Sequence, residues 1–147
     1  MRAMVYREFL NPIVRLTAAQ IVTGTGGQDA LEQAHLIRSF LESHTEFLRD
    51  PDGVEMLHGP VWQLQQIHNS GLVSVDCDDV AMLAAALGKA VGLQARFVVV
   101  AFGNSRAPYQ HVWTELGRGN VWVDMDVTRP AQGLPFGMIS RTLTQSV

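Results

Sequence analysis

Apolar residues follow a helical spacing up to Val91 and an alternating or continuous spacing from Ala95 onward. Asn11-Pro12 reads as a helix start, because proline suits the first helical position. Ile13 to Val22 follows as a short helix, stopped by Gly24-Thr25-Gly26-Gly27. From Gln28 to Glu46 the apolar positions Leu31, Ala34, Ile37 and Leu41 recur at the helical period, with Asp29 placed to cap. Pro51-Asp52-Gly53 is a turn signal. Gly59-Pro60 opens a third short helix, Val61 to His68. Val80 to Val91 is almost entirely Ala, Leu, Met and Val. A helix apolar all round belongs in the centre of a domain, and Gly92 sits where a helix ends.

The spacing then changes. Ala95 to Phe102 is nearly continuously apolar and predicts a central strand. Gln110 to Leu116 and Val121 to Asp126 alternate, with Gly117-Arg118-Gly119-Asn120 between them, which predicts a hairpin. Helices first and strands second imply an α+β fold, with N-terminal helices and a central buried helix packed on an antiparallel sheet. Ala131 to Val147 carries Pro135 and Gly137 and predicts no element.

Hairpin register links two polar residues. An even loop centred between Arg118 and Gly119 opposes Leu116 to Val121, Thr114 to Val123 and Val112 to Met125, so apolar residues pair on one face. On the other face Trp113 opposes Asp124 and His111 opposes Asp126. Directly opposed Cβ atoms lie about 4.5–5.5 Å apart, within reach of an imidazole–carboxylate hydrogen bond. Asp124 shares that face one pair nearer the turn and is the weaker partner.

Composition narrows the function classes. A chain of 147 residues suggests one domain, residues 1–147, able to bury a core without disulfide or metal staples. A net charge of −3 argues against sequence-independent nucleic-acid binding. No Lys/Arg block marks a polybasic membrane patch. No secretory signal or membrane span is expected, since Lys89 and Arg96 break the most apolar stretch. The single cysteine excludes an intramolecular disulfide and fits a reducing compartment, so a cytoplasmic location is expected.

That cysteine, Cys77, stands in Val75-Asp76-Cys77-Asp78-Asp79. Asp76 is a good N-cap, and Asp79 occupies the capping-box position three residues on. Cys77 is then the first helical residue, at the positive end of a buried helix, where thiol pKa values fall and backbone N–H groups are free. The neighbouring carboxylates oppose a thiolate. From this segment alone, an inert cysteine beginning a core helix explains the residues as well as a nucleophile does. Of the five histidines, His35 and His44 read as solvated, and His58 and His68 flank the third helix. Asp76, Asp78, Asp79, Asp124 and Asp126 could offer oxygen ligands, but no EF-hand loop or His-Glu-x-x-His occurs, and neither metal nor cofactor is expected.

Val75 to Asp79 with the following Ala/Leu-rich helix, then His111-Val112-Trp113, then Trp122-Val123-Asp124-Met125-Asp126-Val127-Thr128 resembles the transglutaminase-like superfamily. The resemblance covers roughly Phe47 to Thr128, the expected core. Val75 stands where the family usually has Gly, and Val127 where it usually has Pro. The resemblance implies a papain-like fold and a Cys77–His111–Asp126 triad. It also implies a short form of bacterial or tailed-phage type, so a virion-associated location is the alternative to the cytoplasm.

The implied chemistry is cysteine-dependent acyl transfer on peptide or glutamine amides through a thioester, resolved by water as a peptidase or deamidase. His111 would take the Cys77 proton to give a thiolate–imidazolium pair, with the thiol titrating below about 7.5. Trp62, Gln65, Gln66 and Tyr109 are candidates for the second oxyanion donor. The partners expected are a protein or peptide substrate, without nucleic acid or membrane. The competing reading is a non-enzymatic protein of the same fold, serving assembly or peptide binding in a phage or bacterial complex.

Overall fold

The computed structural model describes residues 1–23, 29–50, 54, 56–103, 106, 108–129 and 139–147. The Gly24 to Gly27 stop and the Pro51-Asp52-Gly53 turn lie outside these residues. Four helices precede the central one: α1 (Arg2–Glu8), α2 (Pro12–Ile21), α3 (Ala30–His44) and α4 (Pro60–Ser70). Asn11 caps α2 by accepting from the Ile13 N–H, and Asp29 caps α3 by accepting from the N–H groups of Leu31 and Glu32. Gly71, at φ 82°, ends α4 in the left-handed conformation that a side chain would resist.

The predicted central helix is α5 (Cys77–Ala90). Every residue from Asp79 to Gly88 is buried. Helices α1 to α4 and the sheet all pack against it. The fully buried Met82, Leu83 and Leu87 each contribute roughly 1.5–3 kcal/mol of apolar burial. Gly88 allows the close approach to the sheet, since a Cβ there would fall 2.3 Å from a methyl carbon of buried Leu116. The Thr114 hydroxyl donates to the Ala81 carbonyl at 2.6 Å, fixing the helix along its strand.

A four-stranded antiparallel sheet runs β5–β4–β3–β6, from β3 (Gln94–Phe102), β4 (His111–Arg118), β5 (Val121–Asp124) and β6 (Ile139–Ser146). Ala95, Phe97, Val112 and Leu116 belong to the core around α5. The alternate residues Val98, Val100, Phe102 and Trp113 form a second cluster. Two three-residue strands, β1 (Thr45–Phe47) and β2 (Val73–Val75), pair in parallel and lead the chain into α5. Among the described residues no helix is long and apolar enough to cross a membrane.

The α+β expectation holds, with three differences. The C-terminal segment, from whose sequence no element could be read, contains β6. This strand lies at the sheet edge, and Thr142 to Ser146 are all exposed, so no burial alternation marks it in the sequence. Helix α1 and the β1–β2 pair were not predicted, the strands being too short to show a period. The hairpin register also differs: Leu116 pairs with Val123 and Arg118 with Val121. The loop is therefore Gly119-Asn120, with Gly119 at φ 64°. A two-residue loop with glycine first matches strand twist, and this selects the turn. The difference from the expected register is two residues, which leaves every side chain on its predicted face.

Candidate active site

Asp76 caps α5 as its sequence position implies, its side chain accepting from the Asp79 N–H at 3.4 Å. Cys77 is thereby the first residue of the helix and is half-buried. It lines a cavity of about 260 Å³ together with Asp76, Asp78, Tyr109, His111 and Val112. Helix start and strand start thus meet at one opening.

A strand edge supplies part of the thiol's environment. β5 ends at Asp124, and its last bond to β4 runs from the Met125 N–H to the Thr114 carbonyl. Two residues along that same edge of β4, the Val112 N–H lies beyond the end of β5 and favours a negative Cys77 sulfur. Burial nevertheless pushes the Cys77 thiol up to about 11, and the charges of Asp76 and Asp78 add to the rise. The Val112 and Cys77 N–H groups oppose it without prevailing. The expected resting thiolate with a pKa below about 7.5 is therefore corrected. Desolvation of a negative sulfur beside two carboxyls outweighs the helix end.

His111 and Asp126 are joined at 2.8 Å, Nε2 to Oδ2, with both side chains almost wholly buried. The direct opposition expected in the ladder does not occur. Asp126 lies beyond the end of β5 and reaches His111 diagonally. Its Oδ1 accepts from the Arg129 N–H at 3.1 Å and the Thr128 hydroxyl at 3.4 Å, and Arg129 Nε lies 2.8 Å from Oδ2. Burial raises the Asp126 pKa, but the bond and charge of His111 and the charge of Arg129 outweigh it, so the carboxyl is held below its usual value.

The remaining acids separate. Asp76, Asp78 and Asp79 can each bring an oxygen within 4.8 Å of the others. Asp79 turns away from its expected capping-box role. It accepts from the His58 N–H at 2.6 Å and meets His58 Nδ1 at 2.9 Å, while Gln63 donates to its carbonyl at 2.8 Å. Burial raises the Asp78 carboxyl to about 8, and the neighbouring Asp76 carboxyl adds to the rise. Asp124 pairs with Arg38 of α3, away from Asp76 to Asp79.

Of the four oxyanion candidates, Tyr109 lines the Cys77 cavity. Trp62 stacks on His58 at 4.2 Å beside a different cavity, and Gln65 is exposed on α4. His35 is exposed as expected and His68 is also exposed, whereas His44, expected to be solvated, is half-buried, its Nδ1 2.8 Å from the Gly71 carbonyl. Sequence reasoning missed the His58–Asp79 pair and Arg129. The first joins residues 21 apart through an unperiodic segment. The second follows Thr128 directly, and its proximity to the predicted Asp126 was the available signal.

A family model for the transglutaminase-like superfamily matches residues 17–127. No curated protein matches the sequence. A solved structure from Cytophaga hutchinsonii, provisionally described as a cysteine protease, is similar with a TM-score of 0.58 at 18% identity. The similarity covers 91% of this chain and 47% of that one, so this chain spans about half that protein's length. It supports the same mixed fold of helices and antiparallel sheet.

Proposed function

The chain belongs to the transglutaminase-like superfamily, and from that premise we propose that it is a cysteine-dependent acyl-transfer enzyme acting on peptide or glutamine amides. Cys77 is the nucleophile, His111 the general base, and Asp126 the group that orients the imidazole. One observation carries the reading: His111, held by buried Asp126, lines the same cavity as a cysteine at a helix N-terminus.

The resting thiol is protonated, so proton transfer accompanies attack. His111 accepts the Cys77 proton as sulfur bonds to the amide carbonyl carbon. Asp126, already engaged at Nε2, holds the ring and favours its charged form. The negative charge moves to the carbonyl oxygen, where the N-terminal N–H groups of α5 are donors, with Tyr109 as the nearest side-chain candidate. His111 then protonates the leaving amine as the C–N bond breaks, leaving a thioester on Cys77. Water activated by His111 cleaves the thioester, giving peptidase or deamidase chemistry. The cavity opens to solvent beside Tyr109, 45% exposed, which favours water over an amine acceptor.

The test uses p-nitrophenyl acetate as a simple acyl donor. Nitrophenolate release with a single acetyl on Cys77, seen by intact-protein mass spectrometry, is expected. Release should be lost in Cys77→Ala and reduced at least about hundredfold in His111→Ala. Equal rates in both variants and the wild type would refute the reading. The raised thiol pKa favours a second reading, a non-enzymatic assembly or peptide-binding module in a phage or bacterial complex. That reading predicts no acetylation of folded protein.

A further inference from the structure

We infer that a second cavity beside the Cys77 site seats an aromatic residue of the acyl donor against Trp62, with a neighbouring carboxylate of that donor held by Arg49. The inference rests on the acyl-transfer reading and deepens it, because it names the class of peptide the site takes.

The cavity measures about 470 Å³ and is lined from the segment after β1, the first turn of α4, the end of β2 and the first turn of α5. Ligand sites span roughly 300–1,000 Å³, so the space admits a large side chain. Asp79 in its wall stands two residues from Cys77. One oxygen from each of Asp76, Asp78 and Asp79 lies within 4.8 Å of the others, and Asp76 and Asp78 line the Cys77 cavity. The two cavities are therefore neighbours across one turn of helix. A few residues of extended peptide, at about 3.3–3.6 Å each, cross that wall.

The lining supplies the recognition. Leu48, Met56 and Trp62 are left 61%, 43% and 39% exposed around this one cavity. Single exposed apolar residues are ordinary, but three sharing a concave site beside a nucleophile mark a binding surface. The Trp62 ring stacks on His58 at 4.2 Å, and its remaining exposure leaves it open to a second ring. Asp79 fixes His58 at its backbone N–H and at Nδ1, so the aromatic platform is held in place.

Charge selects the rest of the occupant. Asp79 gives one oxygen to each of those His58 groups, and Asp50 accepts from the Met56 N–H, so both acids of the lining are engaged. Arg49 is exposed in the lining and, among the described residues, has no ion-pair partner. A guanidinium binds a carboxylate through two parallel hydrogen bonds and keeps its charge at any working pH. The cavity therefore favours an aromatic residue with a carboxylate beside it over a basic or wholly apolar segment.

Cys77 serves as the reporter. N-iodoacetyl-phenylalanine with a free carboxylate, carrying no glycine, one or two between label and phenylalanine, is compared with N-iodoacetyl-triglycine. Each alkylation rate of Cys77, followed by mass spectrometry at about pH 8.5, is divided by the iodoacetamide rate of the same variant. At least one spacer should label about tenfold faster than triglycine. The excess should disappear in Trp62→Ala. Arg49→Gln should lower it about threefold, as should a C-terminal amide on the label, and the two losses should not add. Labelling no faster than triglycine at every spacer, or an excess that survives in folded Trp62→Ala, would overturn the inference. An excess indifferent to both Arg49→Gln and the amide would overturn the carboxylate preference. Should Trp62→Ala fail to fold by thermal melting, Leu48→Ser decides instead, and an undiminished excess there is equally fatal. These ratios do not depend on catalysis. If p-nitrophenyl acetate left no acetyl on Cys77, the acyl-transfer reading would fall even where the ratios held.

Discussion

Asp79 holds His58 at two points, accepting from its backbone N–H at 2.6 Å and meeting its ring Nδ1 at 2.9 Å. The carboxyl is buried in the first turn of α5, and the segment it holds comes from before α4. Removing it leaves a part-buried N–H and an imidazole without their acceptor. Asp79→Ala should cost about 2–4 kcal/mol in urea denaturation. A loss under 0.5 kcal/mol would show that the pair does not anchor this segment.

Asp126 meets His111 through Oδ2, and an amide there could present either an oxygen or a nitrogen. Asp126→Asn also removes the charge that favours imidazolium as the proton arrives. Acylation of Cys77 by p-nitrophenyl acetate should fall at least about hundredfold, with the melting temperature changed far less than the rate. Retained acylation would remove Asp126 from the mechanism.

Asp78 gives a pH signature in stability. Below about 4, folded and unfolded states both carry its proton, and the group is neutral in the balance. Between that value and about 8 the unfolded carboxyl ionises while the folded one stays protonated, so stability falls as pH rises. Asp78→Asn should stabilise by about 1 kcal/mol at pH 8 and by nothing at pH 3.5. Solvent screening of a half-exposed pair keeps the gain small. Denaturation at those two pH values checks it, and an equal effect at both would refute the assignment.

Gly117 pairs with Trp122 across the hairpin, close against the partner backbone. A Cβ there would fall 2.0 Å from the Val121 carbonyl oxygen, a backbone atom that cannot swing aside. Gly117→Ala should destabilise by about 2 kcal/mol or more, measured in urea. It should also slow acylation of Cys77, because the same hairpin delivers Asp126 to His111. Unchanged stability would show that the strands can part without cost.

Local signals carried much of this architecture. Asn11, Asp29 and Asp76 cap helices where their side chains suit, and Gly71 and Gly92 both adopt positive φ. The His111–Asp126 pair was legible because a strand repeats every two residues, so a register error of two still named the right face. The thiol's pKa was not legible. The helix end is a local feature, whereas burial of Cys77 depends on strands 20 to 40 residues away. His58 escaped for the same reason, acting through a tertiary contact that no period announces, whereas Arg129 meets Asp126 only three residues along the chain.

The early end of β5 has a consequence for the second half of the proposed reaction. The Val112 N–H favours a negative sulfur. Once Cys77 carried an acyl group, that donor would face a weak acceptor and its influence would lose most of its value. Returning the sulfur to an anion would restore it. In the proposed mechanism the edge of β4 beyond β5 would therefore favour departure of the thiolate and a short-lived thioester. A shortened strand would thus act as a leaving-group activator, through a main-chain atom that no side-chain substitution deletes.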